Sequence, residues 1–154
     1  MKIYAKKQCY VRGENAEELT KATGESGDGY YFSPESNHGM VEYYCQNSKH
    51  VWIACPKNGC QIADLTSTEH VYKIIELANK NVQRLQKEMA GYIAPKINIG
   101  NIQRFPYAIE EYIRENLQNI DAYLTNHKAD GTNLPSGKQL IILNLDAFSL
   151  EQKR

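Results

Sequence analysis

Apolar side chains recur every three to four residues from Val71 to Met89. The stripe is Val71, Ile74, Ile75, Ala78, Val82, Leu85 and Met89. This spacing predicts an amphipathic helix with one buried face. Thr66-Ser67-Thr68-Glu69 reads as the capping box that opens it. A second helical stripe starts after Pro106, a residue suited to a first helical turn. It predicts a helix with Ile109, Tyr112, Ile113, Leu117, Ile120 and Leu124 inward.

Elsewhere the pattern is short and strand-like. Residues 8–12, 30–32, 50–55 and 60–65 read as strands, and Gln139-Leu140-Ile141-Ile142-Leu143 reads as a buried one by its continuous apolar run. Asn15 caps an expected helix to Ala22. Ser36 caps another, with Met40, Val41, Tyr44 and Cys45 inward. Short strands at both ends with long helices between them predict an α+β fold. The helical insertion is expected between residues 68 and 125, in a single domain spanning 1–154.

Composition narrows the function. Lys plus Arg equals Asp plus Glu, 18 against 18, so no global field holds nucleic acid. Aromatics make up 10% of the chain, with eleven tyrosines, which marks a globular protein. No apolar run nears the ~18 residues of a membrane span, so no membrane partner is expected. Residues 1–7 lack the apolar stretch of a signal peptide. Reduced thiols in a cytosol are therefore expected for Cys9, Cys45, Cys55 and Cys60.

Cys55-Pro56-Lys57-Asn58-Gly59-Cys60 permits a zinc knuckle, but no second close pair accompanies it. A tight Asn-Gly turn joining two strands is the preferred reading. His38, His50, His70 and His127 have no metal or triad spacing and are expected at the surface, so no metal site is assigned.

The chemistry concentrates around Gly27-Asp28-Gly29-Tyr30-Tyr31-Phe32-Ser33. Glycines allow a sharp entry, and the tyrosines behind them build a flat wall with polar tips, suited to planar ligands. Upstream lies Tyr10-Val11-Arg12-Gly13-Glu14, and Lys138-Gln139-Leu140-Ile141-Ile142 follows late in the chain.

These three blocks, in this order, resemble the three signature strands of ADP-ribosyltransferases. The likeness covers residues 8–66 and 137–149, including an edge strand ending Asp64-Leu65. It implies two small packed β-sheets at a steep angle around an NAD cleft. Arg12 and Gly13 would hold the nicotinamide and its ribose. Tyr31 takes the place of the stacking tyrosine of the poly(ADP-ribose) polymerase branch. Tyr43 or Tyr44, on the next helix, supplies the second ring. In the alternative, arginine-modifying branch, Ser33 would instead imitate that branch's serine. The family's catalytic glutamate falls at Gln139.

The resemblance implies NAD as substrate and a macromolecular acceptor, a protein favoured over a nucleic acid. It also implies mono-ADP-ribosyl transfer by a small bacterial or phage-type member, in the cytoplasm or delivered into a host cytoplasm as an effector. Gln139 leaves three explanations open: a weakened or inactive natural form, an engineered Glu-to-Gln change, or replacement by another acid such as Asp130 or Glu14. The alternatives in other classes are a non-enzymatic NAD- or ligand-binding protein on the same scaffold and a zinc-stabilised interaction module.

Overall fold

A computed structural model describes residues 8–24, 26–89, 91, 97, 106–127 and 137–154. The chain runs β1 (Tyr10–Glu14), β2 (Ala22–Gly24), β3 (Gly27–Pro34), α1 (His38–Cys45), β4 (His50–Pro56), β5 (Ile62–Asp64) and α2 (Thr68–Glu88). It continues with α3 (Pro106–Asn116), β6 (Ala122–His127), β7 (Gly137–Ile142) and β8 (Phe148–Gln152). The class is α+β, as the pattern predicts.

The strands form one curled sheet in the order β5-β6-β7-β3-β1-β4-β8, with β2 added on β3. Among the described strands only β5 and β6 pair in parallel. The two small sheets expected are thus halves of one sheet, and β3 joins them. Tyr30, Tyr31 and Phe32 face Ile142, Ile141 and Leu140 of β7. Ser33 and Pro34 face Val11 and Tyr10 of β1. The partner of β3 changes between Phe32 and Ser33.

Each face of the sheet has its own core, as the two-residue period of strands requires. On one face, α2 and α3 lay Val71, Ile74, Ala78 and Ile109 over Ala63, Tyr123 and Ile141. The other face lines the inside of the curl, where Tyr10, Ala54 and Phe148 meet Ile62, Leu124 and Leu140. Burying one such aliphatic side chain contributes about 1.5–3 kcal/mol.

Several expectations are corrected. No helix follows Asn15. Its amide and those of Ala16 and Thr20 donate to the Glu14 carboxylate at 3.1, 3.3 and 3.2 Å, so residues 15–20 wrap around that side chain. The next helix is capped by Asn37, whose side chain accepts from the Met40 amide, and not by Ser36. Met40 and Cys45 are buried on it, while Tyr44 is exposed. Ser67 caps α2 without a side-chain bond, so the expected capping box is not formed.

The helix expected to reach Leu124 ends at Asn116. Asn119 takes a left-handed φ of 70°, and Ala122 to Thr125 are all buried, as in a strand covered on both faces. The turn of residues 57–60 exists, with the Cys60 amide donating to the Lys57 carbonyl at 3.1 Å. It does not pair the strands beside it. A two-residue hairpin turn needs positive φ at both central positions in its Asn-Gly form, and here only Gly59 has it. β4 pairs with β1 and β8, and β5 with β6.

The expectation of four reduced thiols also fails. Cys9 is bonded to Cys55, with their Cα atoms 4.4 Å apart. The β1–β4 register explains this: Tyr10 faces Ala54, so one residue further out Cys9 faces Cys55. That separation suits a closely spaced antiparallel pair. The bond removes Cys55 from any zinc site. Cys45 and Cys60 are free and buried. His70 is also buried, not at the surface, with Nδ1 2.6 Å from the Tyr112 hydroxyl. Burial holds its pKa below the ordinary value.

Candidate functional site

The change of partner along β3 opens a cleft of about 110 Å³. It is lined by Val11, Arg12 and Gly13 of β1, Tyr31, Phe32 and Ser33 of β3, Tyr44 of α1 and Gln139 of β7. Extending the β3–β7 register by one residue sets Ser33 opposite Gln139. Of the residues that the resemblance assigns to the NAD cleft, all reach it except Tyr43. Tyr43 stands outside it and packs edge-on against Tyr44, ring centroids 5.0 Å apart. The choice between the two tyrosines therefore falls to Tyr44.

Arg12 acts as a brace within the fold. Its Nε and Nη2 donate to Glu14 Oε2 at 3.2 and 3.1 Å. Nη2 also donates to Thr20 Oγ1, and Nη1 donates to the Tyr31 carbonyl at 2.8 Å. A guanidinium has five N–H donors, so one on Nη1 remains beyond these bonds. Arg12 thereby ties β1 to β3 where the backbone ladder between them stops.

Glu14 is buried beneath this brace. Burial alone would raise its pKa. Hydrogen bonds from Thr20, Ala16 and Arg12 outweigh that and hold the carboxyl below its ordinary value. Glu14 thus stays charged, and it is fully engaged with its own loop and Arg12. It does not line the cleft, so it is no replacement for a carboxylate at position 139. Asp130, the other substitute considered, lies outside the described residues.

Gly13 is fixed by packing. A Cβ there would lie 2.2 Å from the Tyr44 carbonyl and 2.4 Å from Ser48 Oγ. Only glycine lets α1 approach closely enough to bring Tyr44 to the cleft. The Tyr31 hydroxyl donates to the Gly27 carbonyl at 2.5 Å and accepts from the Ser26 amide at 3.1 Å. Its ring lies on Gly24, where an added Cβ would come within 2.4 Å of the hydroxyl oxygen. The glycine-rich hairpin of β2 and β3 thus sets the orientation of Tyr31.

Ser33 is 5% exposed. Among the described residues, neither its hydroxyl nor the Gln139 amide has a hydrogen-bond partner. Lys138, next to Gln139, points to the other face of the sheet and pairs with Asp64 at 3.0 Å. Burial works against the Asp64 charge, but bonds from Thr66 and Lys138 prevail and lower its pKa. No carboxylate lines the cleft among the described residues, and no three metal-ligating side chains come together there.

The sequence reading missed the Glu14 brace and the buried polar cluster behind Tyr31. In that cluster the Tyr123 hydroxyl donates to the Ser26 carbonyl at 2.7 Å, and Thr125 meets Ser26 Oγ at 3.2 Å. Burial, aided by Tyr31 and Glu110, pushes the Tyr123 hydroxyl pKa well up. The one signal for the brace was the charge pair at 12 and 14, whose side chains share one strand face.

No family model, curated protein or solved structure matches this chain.

Proposed function

We propose that the chain is an ADP-ribosyltransferase-type domain that binds NAD by its nicotinamide end, with transfer weakened by Gln139. One observation carries this reading. Arg12, Gly13, Tyr31, Ser33, Tyr44 and Gln139, named from three separated motifs and a helix, line one cleft. The three motif strands β7, β3 and β1 are consecutive neighbours in the sheet.

The cleft fits the group in chemistry and size. Its free volume is about 110 Å³, below the ~300 Å³ of a pocket for a drug-sized ligand. A single ring fits that scale, and the remainder of a dinucleotide would lie outside. The Ser33 hydroxyl and the Gln139 amide, which have no hydrogen-bond partner among the described residues, match a carboxamide, which both donates and accepts. Tyr31 and Tyr44 offer aromatic surface for the ring.

In such a transfer the bond from ribose C1′ to the nicotinamide nitrogen breaks. A bond from C1′ to the acceptor forms, and the acceptor loses a proton. Positive charge builds on the ribose, as in glycoside cleavage. A carboxylate beside it is worth about 4 kcal/mol at ~4 Å and an effective dielectric of ~20. That corresponds to roughly a thousandfold in rate. Gln139 can accept the ribose hydrogen bond but supplies no charge. The acceptor in this reading is a protein side chain in preference to a nucleic acid.

The second reading is an NAD-binding protein without transfer activity. The absence of a carboxylate from the cleft lining among the described residues favours it. Among the described residues no helix is long and apolar enough to cross a membrane. The Cys9–Cys55 bond implies passage through an oxidising compartment, where disulfides form, before any delivery into a reducing host cytoplasm.

Calorimetry with NAD tests the reading. Ser33→Ala removes one hydroxyl and Tyr44→Ala one ring face, and each is expected to weaken binding about five- to tenfold, or ~1–1.5 kcal/mol. Unchanged affinity in both folded variants would remove the cleft assignment.

A further inference from the structure

We propose that Arg154 is a positioning residue of this cleft: its guanidinium clamps the C-terminal end of α1, and the clamped helix holds Tyr44 as a wall. The proposal rests on the nicotinamide reading above and adds a residue outside the cleft on which ligand affinity depends.

Beside the cleft, α1 reaches from β7 to β1 and is fastened at both ends. At its start, Asn37 accepts from the Met40 amide at 3.1 Å and lies against Gly137 of β7, where any Cβ would clash with the Asn37 side-chain amide. Met40 is fully buried. At its end, the Tyr44 carbonyl rests on Gly13 of β1 and accepts from Ser48 Oγ at 2.7 Å.

The end of a helix leaves carbonyls without intrahelical partners and carries negative partial charge, so a cation there is stabilising. The last turn of α1 has no basic residue. Arg154 supplies one from 109 residues away in sequence. Its Nη2 donates to the Cys45 carbonyl, and to the Ser48 carbonyl at 2.7 Å. The backbone behind it is anchored on β4: the Arg154 carbonyl accepts from the Val51 amide at 3.1 Å, and the Lys153 amide donates to the Val51 carbonyl at 2.7 Å. Val51 in turn faces Gly13 in the β1–β4 register, so the clamp and Gly13 belong to one row of the sheet. The Cys45 carbonyl it holds is one residue from Tyr44. Without the clamp the last turn of α1 frays, and the ring is no longer held at the cleft.

The test combines calorimetry with NMR. Arg154 is exposed, and a cation on an exposed helix end shifts an equilibrium by a small factor, so Arg154→Ala is expected to weaken NAD binding about threefold at low ionic strength. In a Tyr44→Ala background the same substitution is expected to change affinity less than about 1.5-fold, because its route to the ligand is gone. Lys153→Ala, which removes the neighbouring exposed side chain, is expected to bind as the native protein does. In ligand-free protein with ring-labelled tyrosines, Arg154→Ala is expected to shift the signals of Tyr44 and its ring partner Tyr43. Those of Tyr112 and Tyr123, in the core under α2 and α3, are expected to stay in place.

Native affinity in folded Arg154→Ala, a loss that persists in full without Tyr44, or an unmoved Tyr44 signal each overturns the proposal and leaves NAD binding standing. So does a shift of all the tyrosine signals together, which is general loosening of the fold and not positioning. Failure of NAD to bind the native protein overturns the nicotinamide reading itself, and this inference with it.

Discussion

Replacing Glu14 by Gln probes the part of the site that holds everything else in place. The Glu14 carboxylate accepts six hydrogen bonds. Oε2 takes Arg12 Nε at 3.2 Å, Arg12 Nη2 at 3.1 Å, the Thr20 amide at 3.2 Å and Thr20 Oγ1 at 2.8 Å. Oε1 takes the amides of Asn15 and Ala16 at 3.1 and 3.3 Å. A glutamine keeps one oxygen. Turned to its least costly orientation, it keeps the four bonds at Oε2 and points an NH₂ group at two backbone donors. Two bonds are lost, two donors are left facing a donor, and Arg12 loses its counter-charge.

Leaving a buried polar group unmade costs about 1–3 kcal/mol, and breaking a buried ion pair about 3–5 kcal/mol. The side chains of Arg12 and Glu14 are 17% and 10% exposed, so the pair is not fully buried. The expected loss is about 2–4 kcal/mol in urea denaturation monitored by circular dichroism. Glu17→Gln, on the exposed neighbouring loop, is expected to stay within about 0.5 kcal/mol.

The pH dependence has a fixed sign. The folded pKa of Glu14 lies below its ordinary 4.5, so its stabilisation is full above that value and is lost as pH falls through the folded pKa. In the Gln variant this acid-side decline is expected to be smaller. A loss under about 1 kcal/mol, or an unchanged acid limb, would refute the brace.

Other expectations concern chemistry and redox state. Gln139→Glu is expected to raise nicotinamide release from saturating NAD at least about a hundredfold, a discounted form of the ~4 kcal/mol Coulomb figure. Equal, negligible rates despite intact binding would support the non-enzymatic reading. In denatured, unreduced protein two thiols are expected to titrate, those of Cys45 and Cys60. Four would show that Cys9 and Cys55 are reduced. Reduction is expected to cost up to about 4 kcal/mol, the chain-entropy estimate for a closure spanning 46 residues, measured as the shift in urea midpoint.

What the sequence reveals here follows the range of the interactions involved. The α2 helix is legible because its apolar period is local and long. So is β3, whose glycines and aromatics sit side by side. β6 is not legible: Leu117, Ile120 and Leu124 continue the spacing of α3, and only the left-handed Asn119 and the parallel partner β5 break it. The loop after β1 carries a capping asparagine, but a buried carboxylate one residue earlier takes the amides a helix would have used. Asn58-Gly59 does turn the chain, yet the strands beside it find partners elsewhere.

For the site, residue types were legible and geometry was not. Arg12, Tyr31, Ser33 and Gln139 could be named because each sits in a short motif. That Glu14 neutralises Arg12, or that Tyr44 and not Tyr43 reaches the cleft, depends on side-chain directions set by packing. The same holds for Cys9 and Cys55. Their pairing depends on a strand register that spans 46 residues of sequence.

The most direct test of the account is an NMR titration of the isotope-labelled protein with NAD, followed through the backbone amides. The largest shifts are expected at residues 11–13, 31–33 and 139, with Tyr44 beside them. They should saturate together as one binding event. Absence of shifts at these positions, or shifts confined to the α2–α3 surface around Lys73 and Glu115, would contradict it.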